Sequence, residues 1–409
     1  MRKETVKRYH DEIDLFVRTV KRRLSDTDCS LNREELAAIV EDIFFSSKVI
    51  DSVQAGDVAE VIRSVLMRVS SRYGILAGPL EDPDVNEIMV NGPHHIFIEK
   101  NGAVLPYDDA FTDAHELEDI IRMFASDVHR EINEANPIVD ARLPSGYRVN
   151  GVLSNVAING PILTIRKFSE QEISLTDLIH YGSVSVECID LLVDLVRAGY
   201  NIFISGGTSS GKTTFLNALT QVIDTRERVI IIEDSAELRI EHLANKVQME
   251  CRNANSIGKG EVTMDKLIKT SLRMRPDRII VGEVRGREVI DMIQAMSTGH
   301  DGSMSTGHGN SIRGMLGRLE TMYLMDQGIP IYAIRSQIAN AIDVVVHLKR
   351  RSDGSRGVVE VAELAGFDGN DYELNYLFQT SDENGLRSTG NELIHQDKLR
   401  RYRNAVQLR

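Results

Sequence analysis

Along the first 74 residues apolar side chains recur every three or four positions. Leu36, Ile39, Val40, Ile43 and Phe44 form one set, and Val58, Val61, Ile62, Val65, Leu66 and Val69 another, with turn-like breaks at Ser46-Ser47 and Ala55-Gly56-Asp57. That spacing predicts helices. The pattern changes at Gly74 to Pro83, where Gly78, Pro79 and Pro83 interrupt it. Strands are predicted next: Glu87 to Val90, a turn at Asn91-Gly92-Pro93, Ile96 to Glu99, a hairpin turn at Asn101-Gly102, then Val104 and Leu105. A helix with Leu117, Ile120, Ile121, Met123 and Phe124, followed by strands at Arg148 to Leu153 and Ile162 to Lys167, completes a small α+β domain.

Ser169 to Leu175 reads as a linker. Beyond it, a helix from Val186 to Ala198 leads into the apolar run Tyr200 to Ser205, and strands alternate with helices to about Lys349. This is the pattern of a parallel sheet covered on both faces, so the fold class is α/β. Residues 353 to 380 read as a hairpin around Asp368-Gly369-Asn370-Asp371, and the tail is basic through Lys398, Arg400, Arg401 and Arg403. The expected organisation is a helical segment at 1–74, a small α+β domain at 75–168, a linker at 169–180, the α/β domain at 181–380 and a basic tail at 381–409.

Composition narrows the class without changing this outline. A chain of 409 residues with 42% hydrophobic and 27% charged positions is globular and long enough for two or three cores. No apolar run approaches the 18 or so residues of a membrane-spanning helix, and no apolar signal core follows Met1-Arg2-Lys3. The expectation is a cytoplasmic protein with no integral membrane segment. Cys29, Cys188 and Cys251 lie far apart, without a paired-cysteine metal motif. A net charge of −13 and the absence of Trp argue against general nucleic-acid binding. Residues 1 to 24 are locally basic, with an apolar stripe of Val6, Tyr9, Ile13, Phe16, Val17, Val20 and Leu24. Such a helix either touches an anionic membrane or partner, or turns its stripe to a core, which is the preferred reading.

The chemistry begins at Gly206-Gly207-Thr208-Ser209-Ser210-Gly211-Lys212-Thr213, placed between an expected strand and an expected helix. Glycines at the first and sixth positions let backbone N–H groups turn around a polyphosphate, Lys212 reaches the β- and γ-phosphates, and the Thr213 hydroxyl is placed for Mg²⁺. Thr214 continues into the helix whose N-terminus would carry the phosphates.

A hydrolytic nucleotide site also needs groups for the metal, the water and the developing charge. The apolar strand Arg228 to Ile232 ends in Glu233-Asp234, and the strand Arg278 to Val281 ends in Gly282-Glu283. Gly282 stands where a Walker B strand usually has Asp. Glu233 is assigned to the water and Glu283 to the metal side, the reverse remaining open. The run Thr298 to Ser311, with His300 and His308, reads as a loop that senses the γ-phosphate. Arg239, Arg252, Arg273, Arg275 and Arg285 flank the carboxylate strands, while Arg148 and Arg166 belong to strands of the preceding domain. Guanidinium groups stabilise charge on a transferring phosphoryl group, and Arg273 and Arg285 are placed with Glu233, Glu283 and His308 as catalytic.

Together these motifs resemble those of the VirB11-like secretion ATPases of the type II/IV superfamily, closest to the CpaF or TadA group that powers Tad/Flp pilus assembly. The resemblance runs from about Leu80 to Lys349, through Asn86 to Gly92, Ile165 to Phe168, the phosphate loop, Ile231 to Leu238, Gly258 to Thr263, Leu272 to Gly286 and the histidine motif ending at His308. It implies a RecA-like P-loop ATPase domain preceded by a small PAS-like α+β domain, a homohexameric ring, and MgATP held between the two domains, with Arg148 and Arg166 contacting nucleotide. It also implies platform proteins of the inner membrane as partners, and a peripheral position on that membrane. Two departures stand out. The tetracysteine module of the pilus-extension branch is absent, and Arg252-Asn253-Ala254-Asn255 replaces an Arg-Pro-x-Asn motif. A nucleotide-binding scaffold with little turnover and a nucleic-acid translocase are the competing functions.

Overall fold

A computed structural model describes residues 5–6, 8–25, 33–47, 51–100, 102–167, 173–252, 254, 259–325, 328–351, 353–381 and 385–407. Cys29, Asn101, Phe168, the linker start at 169–172, and Asn253, Asn255 and Gly258 lie outside these residues. The chain divides into two compact units, Met1–Glu170 and Gln171–Arg409.

In the first unit, helices His10–Ser25, Arg33–Ser46 and Val58–Ser70 bury the stripe of Val6, Tyr9, Ile13, Phe16 and Val20 against Val40, Ile43, Phe44 and Val61. The basic N-terminal helix therefore faces a core, which is what its apolar stripe requires. Beside it lies an antiparallel sheet of six strands in the order β3-β2-β1-β6-β5-β4. These are β1 Val85–Asn91, β2 Ile96–Lys100, β3 Ala103–Pro106, β4 Ile138–Arg142, β5 Arg148–Val152 and β6 Ile162–Arg166. Strand β4 has no counterpart in the sequence reading. Its run Ile-Val-Asp-Ala-Arg alternates over only four residues, Val139 to Arg142, and pairing with β5 makes it a strand.

The expected boundary at residue 74 is crossed by a buried cation. Arg68, 4% exposed, donates to Glu116 Oε1 at 2.9 Å, to the Ser64 carbonyl at 3.0 Å and to the Ala110 carbonyl at 2.6 Å. Glu116 and Ala110 belong to the α+β part. A buried guanidinium must have its donors satisfied, so this one ties helices and sheet into one unit.

The second unit holds a sheet of nine strands ordered β15-β14-β13-β12-β7-β11-β10-β8-β9. β7 Ile202–Gly206, β8 Val229–Glu233, β9 Lys246–Glu250, β10 Arg278–Val281, β11 Met304–His308 and β12 Val344–Arg350 are parallel. β13 Arg356–Phe367, β14 Tyr372–Ser381 and β15 Gly385–Ser388 extend the sheet antiparallel. Every residue of β7 and β8 is buried, as a sheet covered on both faces demands. Asn201 anchors β7 from below. Its side chain donates to the Met296 and Ala341 carbonyls at 3.1 and 2.8 Å and accepts from Ser303 N–H at 3.0 Å.

Two segments differ from the sequence reading. Met304–His308, expected within a sensing loop, is the strand between β7 and β10. Thr306 is accommodated because its Oγ1 donates to the Gly282 carbonyl at 2.7 Å, and just before the strand Ser303 Oγ accepts from Ile279 N–H at 3.2 Å. The basic tail also belongs to the fold. Gly385–Ser388 pairs with β14, and helix Asp397–Gln407 sends Lys398 to Asp301 and Asp343 at 2.7 and 2.9 Å. Among the described residues no helix is long and apolar enough to cross a membrane.

Removing the buried cation tests the joined architecture of the first unit. Arg68→Ala is expected to lower its unfolding free energy by about 3–5 kcal/mol, read from denaturant unfolding of the full chain. A loss under 1 kcal/mol would show that the helices are held independently of this contact.

Candidate active site

β7 ends at Gly206, the chain turns, and helix Lys212–Thr220 begins. The turn makes use of its glycines. A Cβ on Gly206 would stand 2.7 Å from the Leu348 carbonyl oxygen, and Gly211, which precedes the helix, has φ +90°. Ser209 adopts φ +56°, a conformation costly for a side-chain-bearing residue and characteristic of ligand-binding turns. Ser210 Oγ closes the loop by donating to the Gly207 carbonyl at 2.9 Å.

Lys212 is 8% exposed. Its ammonium donates to the Gly206 and Gly207 carbonyls at 3.2 and 3.0 Å, and lies 3.3 Å from Nδ1 of His308. The register of β11 with β7 sets His308 opposite Gly206. Since an ammonium only donates, Nδ1 accepts and the ring proton resides on Nε2. Burial, then the Lys212 charge, draw His308 below its ordinary pKa, which keeps the ring neutral. Burial also lowers the Lys212 pKa, with Glu283 opposing and Arg285 and Arg318 reinforcing it.

Nε2 of His308 lies 2.8 Å from Glu283 Oε1. The contact is close but off the line of a hydrogen bond, so Oε1 is buried without an aligned donor. Glu283 Oε2 accepts from Arg285 Nε and Nη2 at 3.0 and 2.8 Å, and Arg285 Nη1 reaches Asp234 at 3.4 Å. Lys212, His308, Glu283 and Arg285 thus form one continuous chain of contacts at the carboxyl ends of the strands, where open α/β sheets bind ligands.

The assigned residues separate into groups. Glu233 is buried, and its Oε1 accepts from the N–H groups of Glu237 and Leu238 at 2.8 and 3.0 Å. Its side chain also explains Gly282: a Cβ there would stand 2.9 Å from Glu233 Cγ. Glu237, on the turn that Glu233 holds, acts electrostatically on Lys212 and Arg285. Glu237 is not among the sequence-predicted site residues; its signal in the sequence was an acid one turn beyond the strand end. Thr208 lines the cavity beside the loop, with His308. Thr213 and Thr214 are half-buried at the helix start, and the Thr213 hydroxyl makes no hydrogen bond among the described residues. Arg273 does not join the site. It follows helix Met264–Ser271 and precedes β10, at the opposite edge of the sheet, because a parallel crossover returns the chain to that edge. His300 is also apart, its Nδ1 3.2 Å from the Ala295 carbonyl.

In the first unit Arg148 and Arg166 are directly paired across β5 and β6, and Arg142 is paired with Arg148 across β4. Three arginines share one cross-strand row. Like charges placed side by side repel unless an anion or acid offsets them; Glu87 pairs with Arg166 on the other side.

The residues present suit a magnesium–polyphosphate ligand. The loop forms a cradle that a Cβ at Gly206 would disrupt, Glu283 Oε1 has acceptor capacity to spare, and the Thr213 hydroxyl supplies an oxygen. No group of three or more His, Cys, Asp or Glu among the described residues could hold a metal alone. Magnesium commonly takes one or two protein oxygens and completes its shell with phosphate and water.

The family described as type II/IV secretion system protein matches residues 74–386. The chain belongs to this family. The conjugal transfer protein TrbB of Rhizobium radiobacter is 33% identical over 309 residues, spanning 74% of this chain and 91% of that protein. An uncharacterised protein of Methanocaldococcus jannaschii is 42% identical over 246 residues, 58% of this chain. The match spans only 34% of that archaeal relative. The crystal structure of the ATPase DotB from Legionella pneumophila superposes with a TM-score of 0.51 at 20% identity, covering 71% of this chain and 79% of DotB. That likeness places the large unit in the RecA-like P-loop fold.

Two measurements test the site's architecture. Gly282→Ala forces a Cβ against Glu233 and is expected to lower stability by about 1–3 kcal/mol; an unchanged unfolding midpoint would mean that Glu233 yields freely. The pH dependence follows from a depressed histidine. The stability that neutral His308 contributes is present above about pH 6.5 and is lost as the pH falls through its lower folded value. His347, buried with Nδ1 3.2 Å from Ser205 Oγ, is shifted the same way. Melting temperature should therefore fall more between pH 6.5 and 5 in the native chain than in His308→Gln, and parallel curves would contradict a neutral His308.

Proposed function

We propose that this chain is an ATP-hydrolysing motor that works as a homohexamer in a type II/IV secretion or pilus-assembly machine. The observation that carries the proposal is the contact chain Lys212–His308–Glu283–Arg285 beside a complete phosphate loop. A polyphosphate gives Lys212 anionic oxygens in place of the Gly206 and Gly207 carbonyls. When Lys212 moves to them, Nδ1 of His308 loses its donor, so ligand occupancy is communicated through the His308 ring to Glu283. This is how a phosphate-sensing residue can act.

Glu283 has the free oxygen Oε1 for the metal side or for the attacking water, with Thr213 on the metal side. Magnesium, when bound, neutralises phosphate charge. Glu233 acts as a positioning residue, since its Oε1 is committed to the turn that carries Glu237. Arg285 stands ready to exchange Glu283 for phosphoryl oxygens, a role suited to a planar guanidinium. Arg148 and Arg166 supply further positive charge to the nucleotide, whereas Arg273 lies remote from the loop of its own chain.

Family membership supports the secretion reading, and the name of the relative TrbB extends it to conjugal transfer machines. Pilus assembly of the Tad/Flp kind is the finer expectation. The partners would be platform proteins of the inner membrane, with the motor at its cytoplasmic face. The net charge of −13 weighs against a nucleic-acid translocase.

Lys212→Ala is expected to reduce phosphate release by about 10²–10³-fold while the chain still unfolds cooperatively. Glu283→Gln should lower turnover comparably and retain nucleotide binding. The check is phosphate release by the full-length protein with MgATP, alongside sedimentation to establish the oligomer. A native hexamer that releases no phosphate would leave only the scaffold reading.

A further inference from the structure

The cavity beside the phosphate loop measures about 390 Å³. Gly207 and Thr208 form one wall and His308 to Asn310 another; the third is Gly314 with Arg318, from helix Ile312–Leu324. Arg318 belongs to none of the sequence motifs and lies outside the contact chain Lys212–His308–Glu283–Arg285.

Three observations set it apart from an ordinary surface arginine. First, helical side chains lean toward the helix N-terminus and cover the residue one turn earlier. For Arg318 that residue is Gly314, with no side chain to intervene, and beyond it lie Asn310 and His308. Second, its charge is felt at the loop: it contributes to lowering both Lys212 and His308, after burial in each case. Third, its charge is not offset. Arg313, on the same helix, pairs with Asp371, Arg335 pairs with Glu320 at 3.0 Å, and Arg285 pairs with Glu283 and Asp234. Among the described residues no carboxylate pairs with Arg318. An unpaired cation in a concave, polar site with a helix N-terminus beside it concentrates anions.

We propose that Arg318 contacts the terminal phosphoryl group of a nucleoside triphosphate bound in its own subunit. This rests on the ATP-binding reading above and adds a residue that distinguishes triphosphate from diphosphate. The loop's N–H groups hold the inner phosphates of either ligand, and Lys212 reaches from the β- to the γ-phosphate. Only the third phosphoryl extends into the space bounded by Thr208, His308 and Arg318.

The test compares affinities of the full-length chain for MgADP and for a non-hydrolysable MgATP analogue, by calorimetry. Arg318→Ala should weaken the triphosphate analogue by about 10- to 100-fold, the loss expected for one charged hydrogen-bonding partner, and leave MgADP within twofold. Arg318→Lys should recover part of the loss, because it restores charge without the planar fork. The side chain has no carboxylate partner to strand, so both variants should keep the native melting temperature, and Arg318→Gln serves as a further control. Equal weakening of both nucleotides, or an unchanged ratio between them, would overturn the proposal. Native protein that binds neither nucleotide would overturn the ATP-binding reading instead, and this one with it.

Discussion

Burial of the Lys212 ammonium is the constraint on which the large unit depends. A cation removed from water must be given oxygen or nitrogen partners, and here they are two loop carbonyls and one imidazole nitrogen. Supplying them requires that β7 and β11 end side by side, with His308 opposite Gly206. That adjacency leaves little room. A Cβ on Gly307 would meet Met315 Cε at 2.9 Å and Phe203 Cζ at 3.0 Å, and one on Gly309 would meet Ser205 Oγ at 2.8 Å. The run of small residues before and after His308 is therefore a packing requirement as much as a functional motif.

The same economy of space governs the carboxylates. Gly282 leaves room for Glu233, whose side chain turns inward and organises the segment leading to Glu237. Glu283, one residue later, is directed instead to His308 and Arg285. Two glutamates at strand ends thus receive different work from their surroundings. One satisfies backbone donors, and the other keeps a buried oxygen available. Beneath them Asn201 bonds to the Ala341 carbonyl and to Asp343, and Lys398 to Asp301 and Asp343, fastening the far ends of the central strands.

Much of the fold was legible because hydrophobic periodicity records burial. β7, β8 and β10 are continuous apolar runs, and the sequence reading placed a phosphate loop and two glutamates at their ends. β11 was not legible. Ser305, Thr306 and Gly307 give no apolar signal, and their place in the sheet comes from hydroxyl bonding and close packing with distant residues. β4 was missed for a related reason, since pairing rather than composition makes it a strand. Arg68 likewise joins two segments that composition separates, through contacts with residues more than 40 positions away. Glu237 and Arg318 went unnoticed because a carboxylate or an arginine on a polar surface is common, and only position distinguishes these two.

The sequence by itself determined the class of fold, the phosphate-binding chemistry and the identities of the groups that can serve it. These are local properties: a glycine permits a turn, an apolar run demands a sheet, and a Lys-Thr pair at a helix start supplies charge and hydroxyl. Tertiary structure decided which of those groups meet. It joined Lys212 to His308, His308 to Glu283 and Glu283 to Arg285, committed Glu233 to the backbone and left Arg273 at the far edge. Those outcomes depend on the order in which strands lie side by side, and adjacency in a sheet is a non-local fact that no single stretch of sequence contains.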